Sequence, residues 1–244
     1  MRIIKYSIFI VLLILVVGRV HSEAMNTGFS TEPYSIEKLD SLLDKLKITV
    51  LTQEPGKQTI QCFDVNEDGL IAIGFRTTLF DNPKHKICVY SSEGLFQYGF
   101  SFESYGSFGV ELDTDLLYIY LVRSNLAIAI DADGTIIEVK EIQDTINNTY
   151  YWHRRVWPSQ KKLGNAEYVL RNDMGPLNVF AASYSQLVVT NEKGETRIIY
   201  DVNSEALIKM LIRIIAIMGF VCFVVVRIIW EFKKQQQRKK HSIQ

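Results

Sequence analysis

From Leu207 to Trp230 the chain runs 24 residues in which only Lys209, Arg213 and Arg227 carry charge, and five cations (Lys233, Lys234, Arg238, Lys239, Lys240) come directly after. As a helix this run is about 36 Å long, enough to cross a hydrocarbon core of about 30 Å. Lys209 and Arg213 can reach back to one interface, Arg227 can snorkel toward the other, and Trp230 falls where interfacial aromatics gather. A helix buried in a soluble core has no need of a cation cluster just past its end. Residues 204–232 are therefore expected as a transmembrane helix and residues 233–244 as a basic cytoplasmic tail.

The N-terminal end is apolar in a different way. Behind Arg2 and Lys5, the uninterrupted apolar run from Ile8 to Val17 spans only about 15 Å, half a bilayer core. Val20 with Ser22, or Ser22 with Ala24, offers the small residues of a cleavage site. Residues 1–24 read as a signal peptide or, beginning at Ile3, as an N-terminal membrane anchor, and either exports the middle of the chain. Charge agrees with this topology. Residues 1–22 hold three bases and no acid, and residues 207–244 hold eight bases and one acid. Of 27 bases and 27 acids, residues 23–206 thus keep 16 and 26, a net charge of 16 − 26 = −10. The pattern fits a single-pass protein of the cell membrane with its middle outside the cytoplasm, and an acidic surface argues against nucleic acid as a partner.

Residues 25–58 read as a linker with one short helix, because Ile36, Leu39, Leu42, Leu43 and Leu46 recur at helical spacing behind Ser35, a candidate N-cap. Over residues 59–203 the period changes to two and turn signals arrive every dozen residues or so. Three segments share one pattern: KICVYSSEGLFQYGF around Gly94, NLAIAIDADGTIIEV around Gly134, and SQLVVTNEKGETRIIY around Gly194. Each is a strand, a polar turn ending in Gly, and a second strand, with Gly where a tight hairpin needs positive φ. Ahead of each lies another expected strand pair: CFDVNEDGLIAIGF, FGVELDTDLLYIYLV and YVLRNDMGPLNVFAA. Gly94 and Gly134 are 40 residues apart and Gly134 and Gly194 are 60, so a period near 40 carries about 20 inserted residues in its last interval.

The run from KICVYSSEG to IDADGTI resembles the NHL-type propeller repeat, which alternates a hydrophobic strand, an Asp-Gly turn, a Phe-Gly connection and a Val-x-x-Asp strand. The resemblance covers residues 60–140 well and 165–200 poorly. It implies an all-β, propeller-like array of about three four-stranded antiparallel blades, and it speaks to fold and not to function. Closed propellers have about four blades or more. Three blades imply an open arc with covered edges, or a homo-oligomer in which two chains complete each other.

Few residues point to chemistry. Asp64, Asn66, Asp68 and Gly69 spell the first half of a calcium loop, but its twelfth position, which should be a bidentate Glu, is Phe75, so a plain hairpin turn is expected and no metal. Cys62 and Cys88 fall on the first and third strands of one meander, about 9.6 Å apart at twice the strand spacing, beyond the reach of a disulfide. No HExxH, CxxC, G-x-S-x-G or glycine-rich phosphate loop occurs, and no cofactor is implied. Asn147, Asn148 and Thr149 form a glycosylation acceptor for a eukaryotic secretory pathway.

The insertion is the one unusual composition, with Tyr150, Tyr151, Trp152, His153, Arg154, Arg155 and Trp157 preceding Lys161 and Lys162. Aromatics interleaved with Arg suit binding, and they equally suit a plug at one end of the sheets or a contact with the bilayer. Tyr151, Trp152, His153, Arg154, Arg155 and Trp157 are the candidate binding residues, with a protein or an anionic glycan as the expected ligand. A binding module at the cell surface is the first functional expectation. An exported hydrolase using Asp113, Asp115 or Asp131 at strand ends, and a ligand-sensing surface protein, are the alternatives.

Overall fold

In this computed structural model, residues 25–75, 84–181 and 183–241 are described. The expected signal peptide or anchor at residues 1–24 lies outside them.

Four turns with one hydrogen-bond pattern organise the β structure. In each, a residue with a short polar side chain (Asn66, Ser91, Asp131, Asn191) donates its N–H to the carbonyl four places on and accepts the N–H of a glycine three places on. Its side-chain oxygen takes the N–H four places on, at 2.9 Å for Asn66, 3.4 Å for Ser91, 2.8 Å for Asp131 and 3.0 Å for Asn191. The glycines Gly69, Gly94, Gly134 and Gly194 hold φ of 78°, 85°, 89° and 76°, a region that costs other residues energy.

In chain order the elements begin with β1 (Thr31–Pro33), α1 (Ile36–Leu46) and β2 (Thr49–Leu51). The first meander is β3 (Ile60–Val65), β4 (Ile71–Phe75), β5 (Lys84–Tyr90) and β6 (Phe96–Glu103). The second is β7 (Phe108–Leu112), β8 (Leu117–Leu121), β9 (Leu126–Ile130) and β10 (Ile136–Ile142). A helix α2 (Ile146–Tyr151) and a π-helical turn (Trp152–Val156) lead to the third meander, β11 (Gln160–Leu163), β12 (Ala166–Arg171), β13 (Gln186–Thr190) and β14 (Thr196–Asp201). The helix α3 (Asn203–His241) begins one residue later.

These strands form three antiparallel sheets, ordered β2-β6-β5-β4-β3, β1-β10-β9-β8-β7 and β11-β12-β13-β14, and no sheet closes into a barrel. The segment expected as a linker thus does more than connect. Its β1 and β2 pair with β10 and β6, covering the outer edges of two sheets. Met25 and Phe29 are buried as well. Helix α1 has Ser35 at its N-cap position without a capping side-chain bond, ends at Lys47 with φ 45°, and turns Leu42 and Leu46 into the core.

The third meander departs from expectation. In YVLRNDMGPLNVFAA only the first part is strand, and Gly175–Phe180 is a 3₁₀ helix. Pro176 has no N–H to give a ladder. The partner of β12 is β11, which lies inside the expected insertion and is joined to it by the two-residue hairpin Gly164-Asn165.

Alternation along the first sheet decides the core. Cys62, Ala72, Ile87, Val89 and Phe100 face the second sheet and meet Phe108, Val110, Ile119 and Ile128. Phe63, Ile71, Ile73, Cys88 and Tyr90 face the other way and meet Tyr168, Leu170, Leu187 and Tyr200 of the third. The first sheet is therefore the middle layer, apolar on both faces, as such a layer must be. The far face of the second sheet (Tyr118, Tyr120, Ala127, Ala129) is covered by Met25, Phe29 and Val156, that is, by the N-terminal segment and the insertion.

Within α3, Asn203–Glu231 is long and apolar enough to cross a membrane, and none of its apolar window is buried against the domain.

Candidate functional site

Three strand ends converge where the sheets meet. Val65, Asn66 and Glu67 come from the end of β3, Leu112, Asp113 and Thr114 from that of β7, and Lys161, Lys162 and Leu163 belong to β11. With Arg155 of the π-helical turn they line a cleft of about 330 Å³.

Two buried carboxylates that are not part of the cleft lining hold its cations Lys161 and Arg155 in place. Asp64, buried in β3, receives Lys161 Nζ at 2.7 Å on one oxygen and the Leu112 N–H at 2.8 Å on the other. Lys161 is buried too and stands 5.6 Å over the Phe63 ring. Beside this pair, Glu111 of β7 accepts hydrogen bonds from the hydroxyls of Tyr120 and Tyr151 and from Arg155 Nε, the last at 3.1 Å. Burial, reinforced by the Glu111 charge, pushes both tyrosine hydroxyls well above their ordinary range, so they serve as donors. For Arg155 burial opposes the charge, and Asp64 and Glu111 outweigh it and raise the pKa.

The rim is polar and of mixed sign. The Lys162 side chain is 73% exposed with its ammonium 3.5 Å from Glu167, and Arg155 is 54% exposed. Glu67 and Asp113 are exposed. The Asp113 carboxylate takes the Tyr118 hydroxyl at 3.0 Å, and its backbone carbonyl takes the Asn66 amide at 3.2 Å. Two cations and two carboxylates thus border one opening.

The candidate binding residues divide. Tyr151, Trp152 and Trp157 turn inward: Trp152 stacks on Trp157 at 4.8 Å and meets Phe29 at 4.9 Å and Tyr120 at 5.8 Å, while Tyr151 packs edge-on to Phe29 at 4.5 Å. His153 and Arg154 point out, His153 against Trp157 and Arg154 over the Tyr150 ring. Of the six, Arg155 alone lines the cleft. Two glycines admit this plug. A Cβ on Gly109 would lie 2.1 Å from Val156 Cγ1, and one on Gly28 would lie 2.0 Å from the Tyr151 ring. The glycosylation acceptor is split likewise: Asn147 is exposed, whereas Asn148 is buried and bonds Ser30 and Gln143.

The calcium-like turn does not gather its oxygens. Asp64 is committed to Lys161 and Leu112, Asn66 closes its own turn, and Asp68 faces solvent. Among the described residues no group of His, Cys, Asp and Glu is arranged to hold a metal ion. Asp131 caps the β9–β10 turn and does not line the cleft. The four cations of the insertion, Arg154, Arg155, Lys161 and Lys162, do not share one exposed surface, since Lys161 is buried in its ion pair. Sequence reasoning misses Asp64 and Glu111 as the partners of the lining cations Lys161 and Arg155. The signal that marks them is a lone carboxylate inside an apolar strand, F-D-V at 63–65 and V-E-L at 110–112.

Cys62 and Cys88 are both free and buried. They sit on β3 and β5 with β4 between them, and they face opposite sides of the sheet. Burial pushes both thiols up to about 12.

No protein-family model matches the chain, and no curated protein shows significant similarity to it.

Proposed function

We propose that the chain is a single-pass membrane protein whose all-β domain, an open propeller-like array of three blades built on four-stranded meanders, two of them with an added edge strand, is held outside the cytoplasm as a binding module. The charge distribution of the two ends supports the topology, and the NHL-like repeat supports the blade reading. In that reading the first strand of each blade lies innermost, which agrees with the packing of β3 against β7 and of β11 against β3.

The observation that carries the function is the cleft at the ends of those three strands. Its volume of about 330 Å³ is at the low end of ligand pockets and suits one sugar-sized unit. Arg155 and Lys162 at the rim favour an acidic group, while Glu67 and Asp113 accept bonds from hydroxyls. A glycan bearing carboxylate groups combines both chemistries.

The test uses the full chain in detergent micelles on an array of uronate-bearing, sialylated and neutral oligosaccharides. Acidic glycans should be retained, and Lys162→Glu should abolish retention without changing the melting temperature, because that side chain is exposed. Absence of retention, or retention indifferent to Lys162→Glu, contradicts the reading.

A further inference from the structure

Val179 and Phe180 are 81% and 65% exposed, neighbours in sequence at the end of the 3₁₀ helix Gly175–Phe180. Among the described residues, the other large apolar side chains exposed outside α3, such as Ile36, Leu95, Tyr105 and Ile146, stand singly along the chain. Two adjacent ones on a short loop require a reason.

The root of this loop is bonded to the first residue of α3. The Asp173 N–H donates to Asn203 Oδ1 at 3.2 Å, the Asn203 amide donates back to the Asp173 carbonyl, and Ser185 Oγ donates to Asn203 Oδ1 at 2.8 Å. The loop is closed on itself, with Asn178 accepting from Met174 N–H at 2.9 Å and donating to the Asn172 carbonyl at 3.2 Å. Asn203 lies four residues before Leu207, about 6 Å along a helix axis. If the apolar run beginning at Leu207 fills the hydrocarbon core, Asn203 and the loop bonded to it stand in the headgroup layer.

We infer that Gly175–Phe180 is a membrane-interface wedge, which inserts Val179 and Phe180 into the lipid surface beside the spanning helix and fixes the domain against the bilayer. The inference rests on the spanning role of α3. Lipid is the occupant because the loop is continuous, through Asn203, with the segment that enters it. Lys209 and Arg213, deeper along α3, can extend their side chains back toward anionic headgroups. Only Val202 separates β14 from α3, so the domain cannot swing away without breaking the Asp173–Asn203 bonds.

The test is spin-label accessibility on the full chain in vesicles of phosphatidylcholine and phosphatidylglycerol. In a Cys222→Ser background the buried Cys62 and Cys88 stay unlabelled, and single labels are placed by Val179→Cys, Phe180→Cys, Glu192→Cys and Phe220→Cys. Labels at 179 and 180 should collide several-fold more with oxygen than with an aqueous nickel chelate, like the label at 220 and opposite to that at 192. If 220 reads as lipid while 179 and 180 match 192, the wedge is wrong and the span stands. If 220 itself reads as aqueous, the span fails and the wedge with it.

Discussion

Asp64 and Lys161 are 97 residues apart in the chain and 2.7 Å apart in space, and both side chains are buried. Their bond joins β3 to β11, and so ties the first meander to the third beside the cleft that Lys161 lines. Removing one partner strands the other charge in the interior, which costs about 3–5 kcal/mol. Lys161→Met should therefore lower the unfolding free energy by about that amount, measured by guanidinium titration of tryptophan fluorescence. Adding Asp64→Leu should recover part of it, since no orphan charge then remains although the buried Leu112 N–H loses its acceptor. A single variant as stable as wild type would contradict the pairing.

The insertion makes a sharper comparison, because its aromatics and its outward cations predict opposite results. Trp152 is held between Phe29, Tyr120 and Trp157, so Trp152→Ala should cost about 3 kcal/mol or more. Arg154, whose guanidinium lies over the exposed Tyr150 ring, should cost under about 0.5 kcal/mol when replaced by Ala. Equal effects in thermal melts would mean that the plug is not packed in this way.

Both domain thiols should be silent in the folded state. Burial excludes reagent and holds each up to about 12, far from the thiolate needed for reaction. Unfolding without reductant should expose Cys62 and Cys88 to alkylation together. A bridged peptide on mass mapping would overturn the sheet order, since the two residues lie on opposite faces with β4 between them.

His85 sets a pH dependence whose sign comes from burial. Desolvation lowers its pKa below the ordinary 6.5, against the opposing effect of the Ser104 carbonyl, 2.9 Å from Nε2. Above 6.5 both folded and unfolded chains hold it neutral and it adds no slope. As pH falls through 6.5 toward the folded value, the unfolded chain takes up a proton that the folded chain does not, and stability is lost. Between about pH 7 and 5 wild type should lose more stability than His85→Asn, whatever their offset at neutral pH. Parallel curves would assign the acid sensitivity to other groups.

How much of the fold is legible in sequence depends on whether the signal is local. The hairpin turns at Gly94, Gly134 and Gly194 announce themselves because positive φ and a self-bonding Asp, Asn or Ser are demands of a few adjacent residues. So does α3, in which the 13 residues Ile214–Val226 carry no charge. The edge strands β1 and β2 are hidden, since three residues such as Thr31–Pro33 are too short to show a period. Strand β11 reads as polar because its inward residue is Lys161, whose partner is far away in the chain. The cleft shares that difficulty, being made of residues from three meanders that no spacing connects.

The sidedness of the chain in the membrane is the claim on which the rest depends. Intact cells expressing the full chain with Cys222→Ser and either Glu192→Cys or Gln236→Cys are treated with a maleimide that cannot cross the bilayer. Glu192→Cys, on the exposed β13–β14 turn, should label at once, and Gln236→Cys should label only after permeabilisation. Labelling at 236 in intact cells with none at 192 would put the β domain inside and contradict the account.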